Sequence, residues 1–408
     1  MSEFIINELP NGLRHIHIPA QSNVVHVALN INVGTCNEDE NQNGIAHFIE
    51  HILFKGTKNR KTFHILNRID SVGGELNAYT SKEETCIYAS CQAQYLERAL
   101  ELIADISFNS IFPENEMQKE RDVIADEIAS YLDSPSEQIF DDFEELFFGK
   151  HPLAKNILGT IESLNTIRRK DVLAFIKKYY QPHNMVLSTY GNITPADLQK
   201  LVLKYYGTQK NKSEIVIAKS IKPKPIIFTK TVEKKTNQSH VIIGGTAPGS
   251  KLATRYHAVL LNNIFGGPSM NSRLNLNIRE KYGFAYNLDS SYTSYNDAGL
   301  LTVYFGSEQK HIPKIVGLVD KEMQKLSEKK ISETLLVAAK KQLIGNIALA
   351  QENKSALTLG LGKTLLVHNK VESLKTVFSK IEKITTAELF DVANQIFDKN
   401  KLSTLVFN

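Results

Sequence analysis

The chain has 408 residues, 48 Lys and Arg against 44 Asp and Glu for a formal net charge of +4, and 42% hydrophobic residues. That length exceeds one compact core, and a nearly balanced charge without a Lys/Arg block excludes a nucleic-acid partner held by a basic surface. No run of 18 apolar residues occurs, and no basic stretch followed by an apolar core opens the chain. The three cysteines, Cys36, Cys86 and Cys91, form no C-x-x-C pair, so the expectation is a cytoplasmic protein without membrane partners.

In chain order, segments 3–8 and 13–18 read as strands around Pro10-Asn11-Gly12, a hairpin signal. Segment 24–33 alternates, with Val25, Val27, Leu29 and Ile31 on one side. The stretch 44–57, GIAHFIEHILFKGT, has helical periodicity, and Ile45, Phe48, Ile49, Ile52 and Leu53 supply its apolar face. A helix over 63–72 closes at Gly73-Gly74 and leads to strands at 75–80 and 85–91. Helices follow at 97–109 and 114–132, then a helical region to about Gly149, a helix at 169–180 and a strand at 185–190. Residues 207–224 are polar and Lys-rich with Pro223 near their end, and read as a linker.

The chain then repeats its own order. His26-Val27-Ala28-Leu29 before the first helix matches His240-Val241-Ile242-Ile243 before a helix at 254–265. IESLNTIRRKDVLAFIKKYYQPHNMVLSTYGN resembles VESLKTVFSKIEKITTAELFDVANQIFDKNKLSTLVFN at the end. The expectation is an α+β chain of two similar domains by internal duplication, 1–206 and 225–408, each a mostly antiparallel sheet covered by helices.

Within 44–57, His47, Glu50 and His51 form H-x-x-E-H. At about 100° per residue the three side chains share one helix face. Two imidazoles at i and i+4 can each give a nitrogen to one Zn²⁺, with the carboxylate beside them in reach of a water on the metal, which is the inverzincin pattern. The second half carries Tyr256-His257-Ala258-Val259-Leu260-Leu261-Asn262 at the matching place, so the chemistry belongs to one half. A catalytic zinc needs a third protein ligand and an open position. The acidic helix ENEMQKERDVIADEIASYL offers Glu120 and Glu127, seven residues apart and on one face, with Glu127 flanked by Ile124 and Ile128.

HFIEH, GGELNAYTSKEETCIYAS, ERDVIADEI and HPLAKNILGTIESL together resemble the pitrilysin-type zinc peptidases, in particular the short bacterial relatives of mitochondrial processing peptidase. The resemblance implies one zinc per chain on His47, His51 and Glu127, the last 76 residues after His51. It makes Glu50 the general base on zinc-bound water and Glu120 a group beside the metal. SRLNLNIREKYGFAYNLDSS resembles the family segment whose Arg and Tyr, here Arg279 and Tyr286, face the zinc from the other domain. Asn77 and Ala78 are assigned to an edge strand that pairs with substrate backbone. The implied function is a zinc metalloendopeptidase acting on oligopeptides or unfolded segments. The implied assembly is a homodimer, or a heterodimer with a paralogue. The rival is a non-catalytic peptide-binding or scaffold subunit, which in this family loses motif residues that are all present here. Gly362-Lys363-Thr364 looks like the end of a phosphate-binding loop, but Leu357 stands where its first Gly belongs, so no nucleotide site is expected.

Overall fold

A computed structural model describes residues 4–214, 222–234 and 236–408; positions 215–221, part of the expected linker at 207–224, lie outside the described residues. The chain runs through β1 (Ile5–Glu8), β2 (Arg14–Pro19), β3 (Val24–Ile31), α1 (Ile45–Leu53), α2 (Thr62–Asp70), β4 (Glu75–Thr80) and β5 (Thr85–Gln92). There follow α3 (Leu96–Asn109), α4 (Glu114–Leu132), α5 (Pro135–Phe148), α6 (Ile161–Thr166), α7 (Arg169–Tyr179), β6 (Met185–Gly191) and α8 (Pro195–Tyr206). The second half holds β7 (Thr229–Val232), β8 (Ser239–Ala247), α9 (Arg255–Phe265), a π-helix at Asn275–Glu280, β9 (Leu288–Ser294) and β10 (Gly299–Ser307). It ends with α10 (Ile312–Glu328), α11 (Glu333–Ala350), α12 (Lys354–His368), α13 (Leu374–Glu382), α14 (Thr386–Ile396) and β11 (Leu402–Phe407).

Two sheets form, ordered β1-β2-β6-β3-β5-β4 and β7-β11-β8-β10-β9. Their pairings match strand for strand. β2–β6 and β7–β11 are parallel, and the remaining neighbours in each sheet are antiparallel. Even the register agrees, since His26 lies opposite Ser90 and Tyr190, and His240 opposite Gly306 and Phe407. The fold is therefore α+β and internally duplicated. β1, supplied by the Pro10-Asn11-Gly12 hairpin, is an addition to the first copy.

The alternation in β3 does what a period of two requires. Val25, Val27, Leu29 and Ile31 enter the first core with Phe48, Ile49, Ile52, Leu100 and Ile103 from α1 and α3. Val241, Ile243, Val303 and Phe305 do the same in the second core beneath α9, α10 and α14. The opposite face of each sheet also needs cover, and the compact units supply it in a way that differs from a division at 206 and 225. Unit one comprises residues 1–128, 155–219 and 350–371, and unit two comprises 129–154, 220–349 and 372–408. Thus α12, late in the chain, lies on β3 and β6 of the first sheet, where Leu365 and Leu366 pack on Ile16 and Val186. In unit two, α5 lies on β8 and β11, where Phe143 backs onto Gly244. Sequence order hides this because a strand's outward residues do not say which segment will cover them. The Gly362-Lys363-Thr364 triplet falls inside α12, so it forms no loop.

Candidate metal centre

The first turn of α1 begins at Gly44, whose φ of +89° favours glycine, and a Cβ there would come 2.7 Å from the Leu158 carbonyl oxygen. Seven of the nine residues of α1 are buried, His47 among them, so packing against the core fixes the roll of the helix. The spacing of His47 and His51 then brings their rings edge to face, with centroids 4.7 Å apart. α4 is anchored by a stripe of buried Met117, Glu120, Ile124 and Ile128, which aims Glu127 at both imidazoles. His47 Nε2 is 3.7 Å and His51 Nε2 3.4 Å from the same Glu127 oxygen. One ligand atom from each of the three residues lies within 4.8 Å of the others.

Glu120 serves a different atom. Its Oε2 lies 3.2 Å from His51 Nδ1 and its Oε1 2.7 Å from Lys55 Nζ. A carboxylate on Nδ1 holds that nitrogen protonated and leaves the Nε2 lone pair facing Glu127. Lys55 is a participant that the sequence reading passed over. Its signal was its place one turn beyond His51, on the face that meets the acidic helix. His47 is held by packing, because its buried Nδ1 has no hydrogen-bond partner among the described residues. Burial, with His51 beside it, pushes the His47 pKa down to about 4, so the imidazole is neutral at pH 7 and has a lone pair to give. Glu50 is raised above the usual carboxylate range, chiefly by burial and further by Glu127, with His51 pulling the other way. A raised carboxyl suits a group that takes and returns a proton near neutrality.

Two imidazole nitrogens and one carboxylate oxygen, with a second carboxylate fixing one ring, are the kind of donor set that a three-ligand zinc site with a free position uses. The residues present fit zinc. A purely structural zinc wants four protein ligands, and no further His or Cys joins the cluster among the described residues.

Beside α1 runs β4, at the edge of its sheet and paired, among the described residues, with β5 alone. Asn77 is exposed and Ala78 is buried on it. In unit two, Arg279 lies on the π-helix, its Nη1 donating to Asn275 Oδ1 at 3.2 Å. Its guanidinium sits 5.3 Å from the ring centroid of Tyr286, which is 81% exposed. The two residues thus form one surface pair. Among the described residues the helix equivalent to α1, α9, contributes to no metal cluster; its His257 approaches Glu388 at 3.9 Å.

The Insulinase (Peptidase family M16) model matches residues 17–161, and that of the Peptidase M16 inactive domain matches 166–343. An uncharacterized zinc protease of Bacillus subtilis is 32% identical over 97% of this chain and 96% of its own. One from Rickettsia bellii is 34% identical over 99% and 97%. A protease from Helicobacter pylori has a similar fold, with a TM-score of 0.91 at 24% identity over 100% of this chain and 99% of that one. A structure described as a peptidase M16 inactive domain, from Pseudomonas fluorescens, also superposes at 0.91 with 17% identity over 99% and 98%. The chain belongs to the M16, pitrilysin-type peptidase family.

Proposed function

We propose that this chain is a zinc metalloendopeptidase that cleaves oligopeptides or unfolded segments. The observation that carries the reading is the convergence of His47 and His51 on Glu127 with Glu50 on the same helix. Zinc, when bound there, supplies a Lewis acid that polarises the scissile carbonyl and acidifies a water. His47, His51 and Glu127 hold the ion, and Glu120 with Lys55 keeps the His51 ring oriented. Glu50 accepts the proton of the attacking water and passes it to the leaving amine. The exposed edge of β4 at Asn77 and Ala78 takes the substrate backbone as an added strand, giving affinity with loose sequence preference. Tyr286 donates to the developing oxyanion and Arg279 holds a substrate carbonyl.

The test is metal content together with turnover. The purified protein should hold one zinc and cleave a quenched generic peptide. Glu50→Gln should keep the zinc and lose about 10²- to 10⁴-fold in kcat. Stoichiometric zinc with no turnover on any peptide would favour the non-catalytic subunit instead.

The same reading makes the protein a homodimer, or a heterodimer with a paralogue, in which Arg279 and Tyr286 serve the partner's zinc. Mixing Glu50→Gln chains with Tyr286→Phe chains should then restore activity in the mixed dimer. No recovery counts against action across the dimer. No helix among the described residues is long and apolar enough to cross a membrane. With Cys36, Cys86 and Cys91 all free, the reading places the protein in the reducing cytoplasm.

A further inference from the structure

α1 carries two of the three metal-binding side chains, yet its first turn has no local side-chain cap, because Gly44 occupies the N-cap position. The N–H groups of Gly44 and Ala46 donate instead to the two carboxylate oxygens of Glu38, each at 2.9 Å. Glu38 is 6% exposed. Its backbone carbonyl accepts from Lys155 Nζ, and the Lys155 carbonyl accepts from Lys82 Nζ at 2.6 Å. On the other side of Gly44 the backbone of Leu158 and Gly159 runs in contact, so close that a Cβ on Gly159 would come 2.5 Å from the Asn43 oxygen. The start of the helix is therefore gripped from two sides.

Other helices manage differently. α6, α8, α12, α13 and α14 are capped by Thr160, Thr194, Asn353, Ser373 and Thr385, each through its own side chain. A small hydroxyl would satisfy one orphan N–H at little cost. Glu38 spans two, with burial opposing its charge and the Ala46 and Gly44 N–H groups favouring it. A group this costly to bury does more than close a turn.

We propose that Glu38 is a positioning residue of the metal centre: by bridging Gly44 and Ala46 it fixes the axial position and roll of α1, and so holds His47 and His51 in convergence with Glu127. This rests on the reading that those three residues bind zinc.

Glu38→Gln keeps the size of the side chain but sets an amide N–H against one of the two donors. Zinc affinity, measured by chelator competition on the folded protein, should fall about 10- to 100-fold, as it does when groups that orient ligands are removed. On a quenched peptide kcat should fall with KM unchanged, because the Glu38 carboxylate holds the Gly44 and Ala46 backbone N–H groups at the start of α1 and not a substrate. Thr194→Ala, which uncaps α8, should lower Tm while leaving zinc affinity as it was. Glu38→Asp, one methylene too short to span both N–H groups, gives the same reading if the Gln variant does not fold. Unchanged zinc affinity in folded Glu38 variants overturns the proposal and leaves the zinc reading standing. A wild-type protein that binds no zinc overturns that reading and the proposal with it.

Discussion

His47 and His51 are chemically the same residue in different surroundings. His51 has a carboxylate on its outer nitrogen, whereas His47 is buried with none. Burial therefore depresses the folded-state pKa of His47 to about 4, from 6.5. Between those values the folded state binds fewer protons than the unfolded one, so stability rises with pH across the window. In the zinc-free protein the contribution should be complete above pH 6.5 and lost as pH falls toward 4, by at most about 3 kcal/mol. Denaturant melts of the zinc-free protein from pH 4 to 7 should show this limb, and His47→Gln should flatten it. A limb of equal size in both proteins would assign it to other groups. Two of the proposed ligands, His47 and His51, and Glu50 beside them were legible in the sequence, since H-x-x-E-H is a local pattern whose helix spacing alone puts the groups on one face, whereas Glu127 was assigned through the family resemblance. Lys55 and Glu38 were not, because each acts on an atom that is near only after folding.

At the scale of the element, α12 shows how packing overrides a local pattern. It carries two glycines two positions apart, Gly360 and Gly362, the second of which opens the Gly362-Lys363-Thr364 triplet that looks like the end of a phosphate loop. In the structure they have opposite roles. A Cβ on Gly362 would collide with Asn30 Oδ1 and come 2.9 Å from Ser188 Oγ, both on buried strand residues, whereas Gly360 has nothing within 4 Å. Gly362→Val should cost about 1–3 kcal/mol through overpacking, and Gly360→Ala should gain up to about 1 kcal/mol from helix propensity. Urea midpoints of the two variants decide this, and a stabilised Gly362→Val would mean that α12 does not sit tightly on β3. The strands and helices of the first half fell close to their expected ranges because alternation, amphipathic faces and glycine stops are local signals. α8 lies beyond the strand expected to close that half, although Thr194 and Pro195 mark its start in the ordinary way.

For the whole molecule, the division into units carries its own prediction. The first sheet is covered on one side by α1 and α3 and on the other by α12, which begins at Lys354, long after that sheet's last strand ends at Gly191. Residues 1–214 expressed alone would leave Ile16 and Val186 without Leu365 and Leu366. Such a fragment should melt several degrees lower and bind a hydrophobic dye, and a peptide of residues 350–371 added in trans should restore its Tm. A fragment indifferent to the peptide would show that α12 contributes nothing to that core. By itself the sequence showed the duplication and the His47-Glu50-His51 triplet on one helix face, on which the proposed chemistry rests, because periodicity and spacing are properties of neighbouring residues. Only the tertiary structure decided which oxygen of α4 meets both imidazoles, which group grips the start of α1, and which helix covers which sheet. Those depend on contacts between segments far apart in the chain, and no local pattern encodes a partner's distance.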